Sequence, residues 1–202
     1  MTFKYLFNIF DKLSFPRRVI RYICKKINAY ICRLLMLKKY IKKSSPRYLE
    51  FGCGSRLREG YIGVDIRHFK GIEFLCNAWS INKYVEKNSV KKIYSRHFFE
   101  HLTFKQGEKT LIAWRKILTK DGVIELELPD LDYHIKQFYL KWDEPSEFKS
   151  KFSNLEHSLA GLFGWQRQGE SKLWDVHKSG YSFKLLKLNL EKFGYTDIKK
   201  LK

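Results

Sequence analysis

The segment Glu50-Phe-Gly52-Cys-Gly54 carries the clearest chemistry in the chain. Glycines let a backbone approach a ligand that side chains would hold off. A carboxylate just before them accepts hydrogen bonds from an ammonium or a loop amide. Asp65 offers a second carboxylate, suited to both hydroxyls of a ribose. The pattern is a near relative of the dinucleotide motif GxGxxG, but Gly52-Cys-Gly54-Ser-Arg-Leu57 lacks its third glycine. Six residues between Gly54 and the next expected strand leave no room for a helix whose N-terminus would hold a pyrophosphate.

A second group of reactive side chains lies further on: His97, Glu100 and His101, then Asp130, then Asp175 and His177. Histidine has a pKa suited to a general base near neutrality, which marks His101 and His177 as candidates, with helix capping or hydrogen bonding as the bland alternative for each. His97-x-x-Glu100-His101 also fits the H-x-x-E-H pattern of some metalloproteases. There the two histidines must share one helix face, whereas His97 directly follows an expected strand. A metal bridging Glu100, His101 and a substrate diol is a weaker alternative, and no metal ligands are assigned.

Strands and helices must position these groups. Short apolar runs predict strands over 47–51, 61–64, 72–75, 92–95 and 123–128, with 196–201 as a last one. Helices are expected over 104–118 and over 183–193, the latter closed by Gly194. A turn is expected at Asp121-Gly122. Strands alternating with helices imply an open, mostly parallel α/β sheet, in which ligands bind outside the carboxyl ends of the strands. Residues 131–175 are rich in aromatics and are expected to form either a lid over a substrate pocket, hinged at Gly161-Leu-Phe-Gly164, or a cover for the sheet edge.

Residues 1–45 form a separate region, a basic amphipathic helical extension ahead of a domain over 46–202. They hold 12 of the 40 basic residues and one of the 21 acidic ones, in a chain of 202 residues with net charge +19. After Ser14 and Pro16, Ile20, Ile23, Ile27, Ile31, Leu34, Leu37 and Ile41 recur at helical spacing. Such a helix can lie on an anionic membrane surface through residues 1–43, or pack its apolar face on protein; nucleic acid is the weakest of the three readings. The four cysteines, Cys24, Cys32, Cys53 and Cys76, lack CxxC spacing and read as reduced thiols. A cytoplasmic location with peripheral membrane attachment is the expectation.

Tyr48-Leu-Glu-Phe-Gly-Cys-Gly-Ser55 resembles motif I of class I S-adenosylmethionine-dependent methyltransferases. Gly63-Val-Asp65 resembles their acidic motif, and Cys76-Asn-Ala78 stands at their adenine-contacting loop. Ile93-Tyr-Ser-Arg-His-Phe-Phe-Glu-His-Leu102 resembles their fourth strand and the Glu-His after it. Trp114-Arg-Lys-Ile-Leu-Thr-Lys-Asp-Gly-Val-Ile-Glu-Leu-Glu-Leu-Pro-Asp130 resembles the helix, turn and fifth strand, and His177-Lys-Ser-Gly-Tyr and Leu190-Glu-Lys-Phe-Gly-Tyr195 the C-terminal helix region. The similarity runs from about 47 to 200 and is nearest to the methyltransferase type 11 group, short-loop subset.

The resemblance implies the Rossmann-like sheet of that family and S-adenosylmethionine as cofactor. Glu50, Gly52, Cys53 and Gly54 would hold its methionine end, Asp65 its ribose, Asn77 and Ala78 its adenine, while Arg96 and His97 would close the site near the sulfonium. His101, His177, Glu100 and Asp130 would face the acceptor as candidate catalytic groups. The chain departs from the family pattern at Arg56, Asn77 and Asp121-Gly122, lacks the first connecting helix, and stops before the usual final strand. The implied reaction is methyl transfer to a small-molecule or glycan- or lipid-linked acceptor. An RNA methyltransferase is the alternative, although Ser95-Arg-His-Phe replaces an Asn/Asp-Pro-Pro-Tyr-like motif. A catalytically weak binding protein of the same fold is another.

Overall fold

Leu49, Phe51, Val64, Phe74 and Ile93 are almost completely shielded from water. Short runs of such residues have no solvated face, and they pair side by side to satisfy their backbone groups. A computed structural model, described over residues 45–140, 143–146, 151–166 and 175–201, shows the result. Strands β1 (Tyr48–Phe51), β2 (Ile62–Asp65), β3 (Ile72–Leu75), β4 (Val90–Arg96) and β5 (Leu118–Glu127) form one sheet in the order β3-β2-β1-β4-β5. Every pairing is parallel. This is the expected open α/β sheet, in the Rossmann-like order. The helix expected within residues 1–45 lies outside the described residues.

Helix α1 (Phe104–Ile117) starts in a capping box. Thr103 Oγ1 accepts from the Gln106 amide, and Gln106 Oε1 accepts from the Thr103 amide. Its Trp114 is fully buried, with the Phe51 ring 4.7 Å away and the Phe99 ring at 6.0 Å. Leu49, Phe51, Ile93 and Ser95 alternate onto one sheet face, and the contact of Phe51 with Trp114 identifies it as the face under α1.

The opposite face carries Tyr48, Glu50, Lys92, Tyr94, Arg96, Val123, Glu125 and Glu127, aligned by the register of β1, β4 and β5. It is held by polar contacts. Lys92 Nζ lies 2.6 Å from Glu125, and the Tyr94 hydroxyl donates to Glu127 at 2.6 Å. β1 leads to β2 through turns, with no helix between them, as the short gap implied.

Three further helices follow: α2 (Leu131–Leu140), α3 (Asn154–Phe163) and α4 (Phe183–Lys192). Gly194 ends α4 as expected. At φ +79° it donates to the Glu191 carbonyl, and Tyr195 donates to that of Leu190, a complete Schellman motif. Two expectations are corrected. The turn at Asp121-Gly122 lies inside β5 as a wide bulge, because pairing with β4 begins at Leu118 and then skips to Val123. Residues 196–201 form no strand; Asp197 sits at φ +53°, which turns the backbone out of the extended range.

The aromatic stretch is partly helical: α2 and α3 belong to it, while 141–142, 147–150 and 167–174 lie outside the described residues. Gly161 is inside α3 rather than at a hinge. A Cβ there would meet the His134 ring of α2 at 2.3 Å, so this glycine lets the ring pack on the helix backbone. Gly164, at φ +82°, backs onto the Asp175 carbonyl.

Candidate functional site

In a parallel sheet all carboxyl ends point the same way, and this order reverses between β1 and β4. The carboxyl ends beside such a reversal are the usual ligand position of these sheets. Here they lead into the Gly52–Gly54 turn after β1 and the 96–101 segment after β4.

Both carboxylates named from sequence are buried, Glu50 at 4% and Asp65 at 6% exposure. Each organises the turn. Asp65 Oδ2 accepts from the Gly54 amide at 3.1 Å, and Oδ1 accepts from the Arg67 amide at 2.8 Å. Glu50 Oε2 accepts from the Arg58 amide at 2.6 Å. Burial raises the Glu50 pKa above its usual 4.5; the Arg58 amide and guanidinium oppose the shift without cancelling it. Each carboxylate oxygen can accept more than one hydrogen bond, so both groups keep capacity for a ligand.

Gly52 and Gly54 adopt φ +69° and +56°. The close approach that Gly52 permits is taken by protein: a Cβ there would lie 2.4 Å from the Phe98 ring. Cys53 has its thiol pushed up to about 12, by burial first and then by the charges of Glu50 and Asp65, so it is a neutral thiol. Cys76, also a free thiol, is pushed up to about 12 by burial.

After β3, the Cys76 amide donates to the Asp65 carbonyl at 3.1 Å, which brings Asn77 and Ala78 next to the second carboxylate along the chain. Asn77 is exposed and precedes a 3-10 turn, Ala78–Lys83; Ala78 is buried. After β4, Arg96 pairs through Nε with Glu127 at 3.1 Å. His97 follows in a left-handed conformation, φ +47°, uncommon for a residue with a side chain and frequent at functional sites. The next residues, Phe99–His101, make one 3-10 turn, so His97 and His101 share no helix face.

His101 and His177 are brought together across 76 residues of sequence. Their rings lie 5.0 Å apart, edge to face. His101 Nδ1 donates to the Val176 carbonyl at 3.0 Å, and His177 Nδ1 donates to the Gly161 carbonyl at 2.8 Å. A carbonyl can only accept, so in each neutral ring Nε2 carries the lone pair. Glu100 is buried beside them. Asp130 is committed elsewhere: it caps α2 through the Asp132 amide and pairs with Lys200. Burial would raise its pKa, but Lys200 and the amides of Asp132 and Tyr133 lower it.

Sequence reasoning missed Arg58 and Phe98. The Arg58 guanidinium lies 3.5 Å from the Tyr94 ring centroid, and also faces Glu125 and Glu127, each at 3.9 Å. It thereby straps the short loop across the polar sheet face. An arginine four residues after a glycine turn gives no sign of this in sequence.

Fold and site together define a Rossmann-like α/β domain with two buried carboxylates at the carboxyl ends of β1 and β2. The chain is similar to a SAM-dependent methyltransferase from Archaeoglobus fulgidus, at 20% identity and TM-score 0.49, covering 98% of this chain and 76% of the other. It is similar to Haemonchus contortus phosphoethanolamine N-methyltransferase 2 in complex with phosphomonomethylethanolamine and S-adenosylhomocysteine, at 16% identity and TM-score 0.44. The same enzyme with S-adenosyl-L-methionine gives 18% and 0.43. In both cases the match covers 82% of this chain and spans only 37% of the nematode protein. No family model and no curated protein matches the chain. Likenesses this remote say nothing of its own substrate.

Proposed function

We propose that the domain binds S-adenosylmethionine at the carboxyl ends of β1 and β4 and transfers its methyl group to a small-molecule or glycan- or lipid-linked acceptor. One observation carries the reading: Glu50 and Asp65, both buried, lie at the carboxyl ends of adjacent parallel strands on either side of the Gly52–Gly54 turn. Two buried carboxylates there suit a ligand that presents an ammonium, a sulfonium and a ribose diol. They repel the pyrophosphate of a dinucleotide. The ordered motifs from 47 to 200, in the type 11 pattern, support the same choice.

Bound there, S-adenosylmethionine supplies an electrophilic methyl group. Glu50 and the 52–54 backbone would hold its amino acid end, and Asp65 its ribose. Asn77 and Ala78 would border the adenine, and Arg96 and His97 would close the site near the sulfonium. His101 or His177 takes the acceptor's proton at Nε2 as the nucleophile engages the methyl.

Calorimetric titration of the full chain with S-adenosylmethionine tests this. Binding is expected, and Glu50→Gln and Asp65→Asn should each weaken it at least about tenfold. In Glu50→Gln the side-chain carbonyl still accepts from the Arg58 amide, so a loss of affinity would not be a loss of loop structure. Absence of binding at roughly millimolar cofactor sinks the proposal. Methylation of RNA in preference to small acceptors would replace the acceptor assignment.

A further inference from the structure

Glu100, His101 and His177 each bring one ligand-type atom to within 4.8 Å of the other two. Glu100 is 2% exposed, and neither carboxylate oxygen has a hydrogen-bond partner. His97 Nδ1 lies 3.5 Å from Oε1. A carboxylate in that condition is costly to keep in a protein interior, and a cation is the usual remedy.

The imidazoles are already arranged for one. Both give Nδ1–H to a backbone carbonyl, Val176 for His101 and Gly161 for His177. This is the outer-shell hydrogen bond that metal-ligating histidines make, and it aims the Nε2 lone pair. The cluster is tied together by backbone: the amides of Lys178 and Ser179 both donate to the Glu100 carbonyl, at 2.9 and 3.1 Å.

We propose that Glu100, His101 and His177 form a binding site for a divalent transition-metal ion. Bonds of about 2.0–2.2 Å separate the ligand atoms of such an ion by roughly 3–4 Å, within a small side-chain adjustment of the arrangement seen. Two imidazoles and one carboxylate suit zinc, iron(II), cobalt or nickel better than magnesium or calcium, which prefer all-oxygen shells. Three protein ligands leave a position open, as in catalytic rather than structural sites. The site follows the carboxyl end of β4. With both Nε2 atoms on the ion, neither imidazole would serve as the base named above; the ion would instead bind and acidify the acceptor's hydroxyl or amine, a use that rests on the methyl-transfer reading, whereas the metal site itself does not.

The full chain, stripped with a chelator, is titrated with Co²⁺. One equivalent should bind, with visible ligand-field absorption and no thiolate charge-transfer band in the near ultraviolet. Glu100→Gln, His101→Ala and His177→Ala should each weaken binding at least about tenfold. Should a variant fail to fold, the wild type still decides: diamagnetic Zn²⁺ must give Nε2-ligand nitrogen shifts at two of the six histidines, His101 and His177. No binding at about 1 mM Co²⁺ or Zn²⁺ overturns the proposal. So do a thiolate band, unchanged affinity in the folded variants, or Nε2-ligand shifts at histidines other than His101 and His177. Metal binding without S-adenosylmethionine binding would keep this site and discard the cofactor reading; the reverse outcome would do the opposite.

Discussion

Glu50 shows how a binding residue can work against stability. Its native pKa is raised, so the fold favours the protonated form. The associated stability is fully present below the ordinary value of 4.5 and is lost as pH rises through the native value. At neutral pH the ionised side chain is therefore a liability to the apo domain. Glu50→Gln should melt at or above the wild-type temperature near neutrality. Its advantage should widen as pH rises from about 4 through the native pKa, while cofactor affinity falls. A melting temperature well below wild type at neutral pH would show that Glu50 is chiefly structural. His177 behaves oppositely. Its lowered pKa makes its contribution present above 6.5 and lost as pH falls through the native value.

At the scale of elements, the β1–β2 loop and the α2–α3 contact both depend on close approach. The first connection lacks a helix, and Arg58 substitutes by stacking on Tyr94 and returning its amide to Glu50. In the second, Gly161 admits the buried ring of His134. Gly161→Ala would ordinarily favour a helix by up to about 1 kcal/mol. Here the added methyl overlaps a buried ring, so a net loss of about 1–3 kcal/mol is expected, read from the denaturation midpoint. A hinge at Gly161 would instead leave stability unchanged or raised. The same variant disturbs the carbonyl that orients His177, so Co²⁺ affinity should fall with it.

For the whole molecule, charge is the dominant feature: +19 in all, with 12 basic residues and one acidic in 1–45. Among the described residues no helix is long and apolar enough to cross a membrane. We infer that residues 1–43 attach the chain to an anionic membrane surface. Flotation with vesicles containing phosphatidylserine should carry the full chain at low salt and lose it as salt rises. A chain lacking 1–43 should stay behind yet still bind S-adenosylmethionine. Equal flotation of both chains, or of neither, removes the membrane role.

The sequence by itself determined the sheet and the first half of the site. Strands β1 to β4 could be read within two residues at each end because their side chains are apolar over runs too short for a helix. Glu50 and Asp65 could be placed because strand ends lie where those runs stop. The helix start at 104 and the glycine at 194 were similarly local. The bulge at 119–122 and the absence of a strand over 196–201 were not legible, since pairing depends on a neighbour's register rather than on local pattern. Only the tertiary structure decided that Phe98 covers Gly52, that Arg58 straps the loop, and that Asp130 serves α2 and Lys200. It alone brought His177 to Glu100 and His101. Their meeting follows from how backbone amides after α3 find the carbonyl of a turn after β4. Contacts so distant in sequence leave no spacing for a reader to recognise.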